Sequence, residues 1–250
     1  MYKIHFFDSL PSTNDLAKKY AGQGAPHGTA IIAARQTKGR GRLGKTWHST
    51  PGKGLFCSII VRPDLAIVDY PKITLTAGLA VAIAVERITG ASTQLKWPND
   101  IFINGRKCGG ILTESSSLNE PIGTRYAVVG IGLNLNSRED DFPDYLRGTV
   151  TSLFLETGIC HDVRQVFSAV HAELLVQIET FVRNGFQPVL SLWKLRDFLL
   201  GKRMECVSLE GKRISGVSLG PDSEGQLHIK VSDGQIHTVL SGDVRLAHED

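Results

Sequence analysis

The chain has 250 residues, 42% hydrophobic and 21% charged, with a formal net charge of +3, the profile of a soluble globular protein able to bury a sizeable core. No apolar run reaches the roughly 18 residues of a membrane span, and the opening "MYKIHFFDSLPSTND" lacks the cationic and apolar regions of a signal peptide. Four scattered cysteines, Cys57, Cys108, Cys160 and Cys206, show no metal or disulfide spacing, so a reducing, cytoplasmic setting is expected.

Strands and helices alternate along the first 200 residues. "KIHFF" reads as a strand, and "PSTNDLAKKYAG" as a helix capped by Ser12 or Thr13 and stopped by Gly22. "TAIIAAR" and "GLFCSIIVRP" are strands separated by a glycine-rich loop. "YPKITLTAGLAVAIAVERITG" is a buried helix with Pro71 in its first turn and Gly90 just past its end. "LKWPND" and "IFIN" are short extended pieces, and Asn104-Gly105 signals a hairpin leading into "RKCGGILTES". "RYAVVGIGLNLN" is a strand with two glycines, and "SREDDFPDYLRGTVTS" a long polar loop. Helical periodicity returns in "VRQVFSAVHAELLVQIETFVRNG" and "FQPVLSLWKLRDFLLG". Beyond about residue 200, short alternating strands split by "EG", "SEG", "DG" and "SGD" turns predict a small all-β module. The expected division is therefore 1–200 and 201–250, with no room before the first strand for a DNA-binding head.

Charge is unevenly placed. Between Asp15 and Asp64 there is no acidic residue, but there are nine lysines and arginines. Four of those cations and three glycines fall in "QTKGRGRLGKTW", Gln36 to Trp47. The glycines let backbone N–H groups turn toward an anion, Arg40 and Arg42 offer charge-assisted hydrogen bonds to it, and Trp47 offers a flat face for a base. The segment matches neither a Walker A loop nor a dinucleotide fingerprint. It has one Arg-Gly repeat and one aromatic, which suits a small phosphorylated ligand better than a long polyanion; a solvated loop and an RNA-binding module remain the rival readings. Lys107, followed by Gly109 and Gly110, and the strand glycines Gly130 and Gly132 mark two further places of close backbone approach. Asn134 carries an amide able to read a base.

In this order, "QTKGRGRLGKTW", "KWPNDIFINGRKCGGIL" and "VGIGLNLN" resemble the biotin–protein ligases, as do "STND" near the start and "DGQIHTVLSGDVRL" at the end. The resemblance covers nearly the whole chain and points to the single-function type without a DNA-binding domain. It implies an α+β fold: a mixed sheet with flanking helices, class II synthetase-like, followed by a small SH3-like β-barrel. It also implies ATP-dependent activation of biotin as biotinyl-5′-AMP, then transfer to one lysine of a biotin carboxyl carrier protein of a biotin-dependent carboxylase. ATP and biotin are substrates and Mg2+ assists; no nucleic acid or membrane is expected as a partner, and a homodimer is possible. Lipoate or octanoate transfer on a related scaffold is the alternative enzyme reading.

The same resemblance assigns the site. Lys107, Arg42 and Arg40 are the expected catalytic cations, Lys107 lying between the biotin carboxylate and the α-phosphate. Ser12, Thr13, Asn14 and Gln36 are expected at the polar edge of biotin. Gly39, Arg40, Gly41, Arg42, Lys107 and Gly110 complete its pocket. Arg42, Trp47, Gly132 and Asn134 are expected to bind the nucleotide, and Asp100 the metal.

Overall fold

The computed structural model describes residues 2–116, 124–208, 211 and 213–247. Its first part is a seven-stranded mixed sheet built from β1 (Ile4–Leu10), β2 (Ala30–Gln36), β3 (Gly54–Val61), β4 (Gln94–Lys96), β5 (Asp100–Ile103), β6 (Arg106–Ser115) and β7 (Ala127–Asn134). The strand order is β1-β2-β3-β7-β6-β5-β4. Only β1 and β2 run parallel; every other neighbouring pair is antiparallel.

The helices divide between the two faces. α1 (Thr13–Gly22) lies on one, where Ala17 and Ala21 pack with Ile31, Ile60 and Val128. α2 (Ile73–Thr89), α4 (Val163–Asn184) and α5 (Gln187–Lys194) cover the other, against Ile32, Ile59, Val129 and Ile131. β3 is buried along its whole length, so its "GLFCSIIV" is apolar on both faces instead of alternating. Each fully buried residue such as Ile59 or Leu79 contributes about 1.5–3 kcal/mol by leaving water. The stretch Ile67–Thr89 has the length and hydropathy of a membrane span, yet 67% of its most apolar window is inside the fold; it is a core helix.

Local signals hold with adjustments. Ser12 is the N-cap residue of α1, but its side chain makes no capping bond, which leaves the hydroxyl available. α1 continues through Gly22. Asn104 and Gly105 both have positive φ, 49° and 75°, the backbone of a tight β6-leading hairpin turn. Gly90 and Gly185 end α2 and α4 with positive φ of 69° and 75°. The long polar loop is partly ordered into short 3-10 turns at Glu139–Asp141 and Asp144–Leu146 and into the one-turn α3 (Leu153–Thr157).

The second sheet is antiparallel, with order β11-β10-β9-β8-β12. Its strands are β8 (Arg203–Ser208), β9 (Arg213–Pro221), β10 (Leu227–Lys230), β11 (Ile236–Val239) and β12 (Gly242–Leu246). The last strand returns to lie beside the first, as in SH3-like modules. The expected "EG" turn at residues 210–211 lies partly outside the described residues. This sheet shares a continuous core with the first: Met204, Cys206, Leu227 and Val244 join Leu95, Trp97 and Phe198. The Trp97 indole N–H donates to Gly225 O at 3.0 Å, and Phe102 stacks on Phe198.

Candidate active site

α1 covers only the β2, β3 and β7 part of its sheet face. Beside it, over β7, β6, β5 and β4, lies a cavity of about 260 Å³. Its floor follows from strand register. Gly132 pairs with Gly110, Gly110 with Asp100, and Asp100 with Lys96. Residues directly opposite one another share a face, so these four form a row running out to the sheet edge.

Lys107 joins that face through an irregularity. In a regular strand it would point away from the face that Gly110 occupies, because side chains alternate. The β5–β6 register shifts so that Phe102 pairs with Lys107 and Ile101 with Gly109. Cys108 turns into the core and Lys107 turns into the cavity. Its ammonium pairs with Asp100 at 2.6 Å and lies 5.7 Å from the Trp47 ring centroid.

The cationic segment is a hairpin. Trp47 N donates to Gly39 O at 3.0 Å, and Gly41 N to Lys45 O at 2.7 Å. Its turn, Arg42–Gly44, places Leu43 and Gly44 at φ 55° and 73°. A Cβ at Gly39 would come 2.5 Å from Trp47 O, so this glycine permits close approach of the hairpin's own strands. The Trp47 indole lies against the glycine floor: a Cβ at Gly132 would stand 2.5 Å from its ring and one at Gly110 3.4 Å. The indole N–H is buried without a partner. Asn14 lies over Gly130 in the same way.

Ser12, Asn14 and Gln36 line the β7 end of the cavity. Thr13 does not line it. Its N–H and hydroxyl both donate to Gln36 Oε1, at 2.8 and 3.1 Å, which leaves the Gln36 Nε2 donors to the cavity. Asn14 donates to Leu112 O at 3.1 Å and to Glu114 Oε2 at 2.8 Å. Gly39 also stands outside the lining, whereas Gly41 is part of it.

The two arginines have different surroundings. Arg40 lines the cavity, but its guanidinium is paired with Asp15 at 2.6 Å and Glu114 at 2.8 Å. Burial pushes the Glu114 carboxyl up, and hydrogen bonds from Lys18, Asn14 and Arg40 more than reverse this, holding it below the usual carboxylate range. Arg40 thus fastens the base of the hairpin to α1 and β6. Among the described residues Arg42 meets only neutral acceptors, Ser241 Oγ at 2.7 Å and Asn99 Oδ1 at 3.3 Å. Burial lowers its pKa, opposed by Asp100 and Asp243. Its charge therefore remains available to an anion.

Asn134 is buried and lines the cavity; its amide donates to Thr151 O at 2.9 Å. Phe142, Leu146 and Val150 form an apolar wall nearby. Lys107 N donates to Thr149 O at 3.0 Å and Thr151 N to Lys107 O at 2.8 Å, which ties this wall to β6. Several lining residues went unnamed in the sequence reading. Lys96 and Asn99 sit within "KWPND", and pairing of Lys96 with Asp100 across the short turn is the signal that would have found Lys96. Gly242 and Asp243 of β12 also line the cavity, and Lys45 pairs with Asp243 at 2.9 Å. No local pattern announces a contact between residues so far apart in the chain.

Among the described residues no three His, Cys, Asp or Glu side chains cluster to hold a metal. Asp100 is the acidic residue of the floor, and a hard cation such as Mg2+ commonly takes one carboxylate together with phosphate oxygens and water.

The Biotin/lipoate A/B protein ligase family matches residues 6–134. The bifunctional ligase/repressor BirA of Bacillus spizizenii is 37% identical over 239 residues, covering 96% of this chain and 72% of its own. The biotin–[acetyl-CoA-carboxylase] ligase of Mycobacterium tuberculosis is 31% identical over 239 residues, covering 93% and 85%. Among solved structures, the biotin protein ligase of Aquifex aeolicus in complex with biotin and ATP superposes with a TM-score of 0.86 at 29% identity, covering 99% of this chain and all of its own. The chain therefore belongs to the biotin/lipoate A/B protein ligase family.

Proposed function

We propose that this chain is an ATP-dependent biotin–[acetyl-CoA-carboxylase] ligase. It activates biotin as biotinyl-5′-AMP and transfers the biotinyl group to a lysine of a biotin carboxyl carrier protein. The observation that carries this reading is the position of Lys107, held by Asp100 at 2.6 Å. It stands between an amide-lined end and an end where Arg42 has no acidic hydrogen-bond partner among the described residues.

In the first step a carboxylate oxygen of biotin attacks the α-phosphorus, and the bond to pyrophosphate breaks. Two anions must meet, so cations at the junction lower the barrier. Lys107 stabilises charge on the phosphoryl oxygens, and Arg42 holds the phosphates. Ser12, Asn14 and Gln36 face the polar edge of biotin, with Thr13 fixing Gln36; Gly110 and Gly41 lie along the rest of the ligand. Trp47 offers the outer face of its indole to adenine, over Gly132 and beside Asn134. Asp100 would help hold Mg2+, which supplies charge neutralisation for the triphosphate. In the second step the carrier amine attacks the acyl carbon, loses a proton, and AMP leaves. The hairpin, fastened at Arg40, keeps water from the anhydride until then.

Residues 1–200 form the catalytic part on this reading, and 201–250 a β module closing one side of the cavity. The four cysteines are free thiols, which supports a reducing compartment, the cytoplasm. The test is direct. Purified protein given biotin, ATP and Mg2+ is expected to form biotinyl-AMP and pyrophosphate, detected by mass spectrometry, and then to biotinylate a carrier domain. Absence of the adenylate removes the proposal; equal use of lipoate or octanoate redirects it to the alternative transferase.

A further inference from the structure

Lys96 carries a charge that the assigned roles leave unused. It pairs in register with Asp100 across the β4–β5 turn, which puts it on the cavity face, and it lines the cavity. Asp100 faces it, but the ion pair of that carboxylate is with Lys107, at 2.6 Å. Asp243, which also lines the cavity, is held by Lys45 at 2.9 Å. The Lys96 ammonium makes no ion pair among the described residues; it lies 5.5 Å from the Phe102 ring centroid, a cation–π contact. Burial pushes its pKa down; the Asp100 carboxylate opposes this, the charge of Lys107 adds to it, and Asp243 and Lys45 act more weakly in opposite senses. A partly desolvated ammonium with no ion pair among the described residues, at the rim of a cavity, is a site prepared for an anion.

Its position says which anion. The row runs Gly132, Gly110, Asp100, Lys96 toward the sheet edge. Lys107 stands near Gly110, at the point where biotin carboxylate and α-phosphate meet. Lys96 lies beyond Asp100 on the side away from Gln36 and Asn14. A triphosphate anchored with its α-phosphorus at Lys107 extends its β- and γ-phosphates that way. We propose that Lys96 is a further catalytic residue, the cation that receives the departing pyrophosphate in the first half-reaction. This rests on the ligase reading above. As the bond from the α-phosphorus to the bridging oxygen breaks, the electron pair goes to that oxygen, and Lys96 neutralises the charge gathering there. It has no part in the second half-reaction, where AMP leaves and no pyrophosphate is present.

That asymmetry makes the test. Lys96→Met keeps the aliphatic stem over Phe102 and removes the charge. It should bind biotin normally in calorimetry and transfer the biotinyl group normally from chemically prepared biotinyl-5′-AMP to the carrier. Pyrophosphate release from ATP and biotin should fall on the order of 100-fold, the cost of losing one preorganised charge-stabilising donor, and Lys96→Arg should restore part of it. Release at the wild-type rate, or equal loss in both half-reactions, overturns the proposal. A second measurement needs no variant. In wild-type protein treated with an amine-acylating reagent, biotin plus α,β-methylene-ATP should shield Lys96 severalfold, while biotin alone should not; labelling of Lys96 unchanged by the nucleotide overturns it. A wild-type chain that forms no adenylate at all defeats the ligase reading itself, an outcome distinct from an active wild type with an unaffected Lys96→Met.

Discussion

Lysine 107 shows how little a single residue's type settles and how much its surroundings do. Two neighbours define it: Asp100 at 2.6 Å orients the ammonium, and Trp47 flanks it. Lys107→Ala should therefore leave the fold intact and reduce adenylate formation by about 10²–10³, the usual cost of one charge-stabilising donor. Pyrophosphate release under single-turnover conditions reads this, and near-normal release would remove Lys107 from the chemistry. Arg40 is the contrasting case. Its partially exposed pairs with Asp15 and Glu114 are worth little each as surface ion pairs, so their value lies in fixing where the hairpin begins.

Among the elements, the hairpin and the two glycine-bearing strands β6 and β7 act as one unit. Strand glycines were expected to mark close approach to a ligand. The closest approach observed is by the chain's own side chains, Trp47 over Gly132 and Gly110, and Asn14 over Gly130. A methyl group at residue 132 has no room beneath the indole, and the crowding should cost about 1–3 kcal/mol unless Trp47 moves off the floor. Gly132→Ala should thus lower the melting temperature by a few degrees and raise the KM for ATP more than that for biotin, since Trp47 is placed on the adenine side. Equal changes in both KM values would argue against stacking on Trp47.

At the scale of the whole molecule, the second sheet is a wall of the site as well as a packed module. Ser241 accepts from Arg42 at 2.7 Å and Asp243 from Lys45 at 2.9 Å. A hydrogen bond to a charged group is worth about 1.5–3 kcal/mol, so the Ser241→Ala/Asp243→Asn double variant should release biotinyl-AMP about tenfold faster in a filtration assay. Retention equal to wild type would mean the hairpin stays closed without β12. The junction also carries a pH dependence. Asp197 bridges to Leu95 of β4 and lies against Gly220 of β9, with Oδ2 buried and unpartnered. Burial raises its pKa from 3.8 to about 6. The folded chain therefore holds this proton over a window where the unfolded chain has lost it. Stability from this group is present below about pH 4 and is lost as pH rises through about 6, an effect on the order of 1–3 kcal/mol. Asp197→Asn keeps the acceptor for Leu199 N and should flatten that part of the profile in thermal melts from pH 4 to 7. A wild-type-like decline in the variant would assign the dependence to another group.

From the sequence by itself came the element order, the apolar helix 73–89, the Asn104-Gly105 turn, the β texture after residue 200 and the motifs naming Lys107, Arg42 and Trp47. The elements rest on local chemistry, periodicity and turn residues; clustered charge and glycine reached only a small anionic ligand, and the roles of Lys107, Arg42 and Trp47 came from the resemblance to the biotin–protein ligases. What the cations face was decided only by tertiary structure. A one-residue register shift turned Lys107 into the cavity, strand pairing set Lys96 beside Asp100, and Glu114 took up Arg40 while Arg42, among the described residues, met only neutral acceptors. Ser241 and Asp243 reached the hairpin from β12, close to two hundred residues away. Local pattern cannot carry such information, because the face a strand residue occupies and the partner a charge finds depend on which distant segments the core brings together.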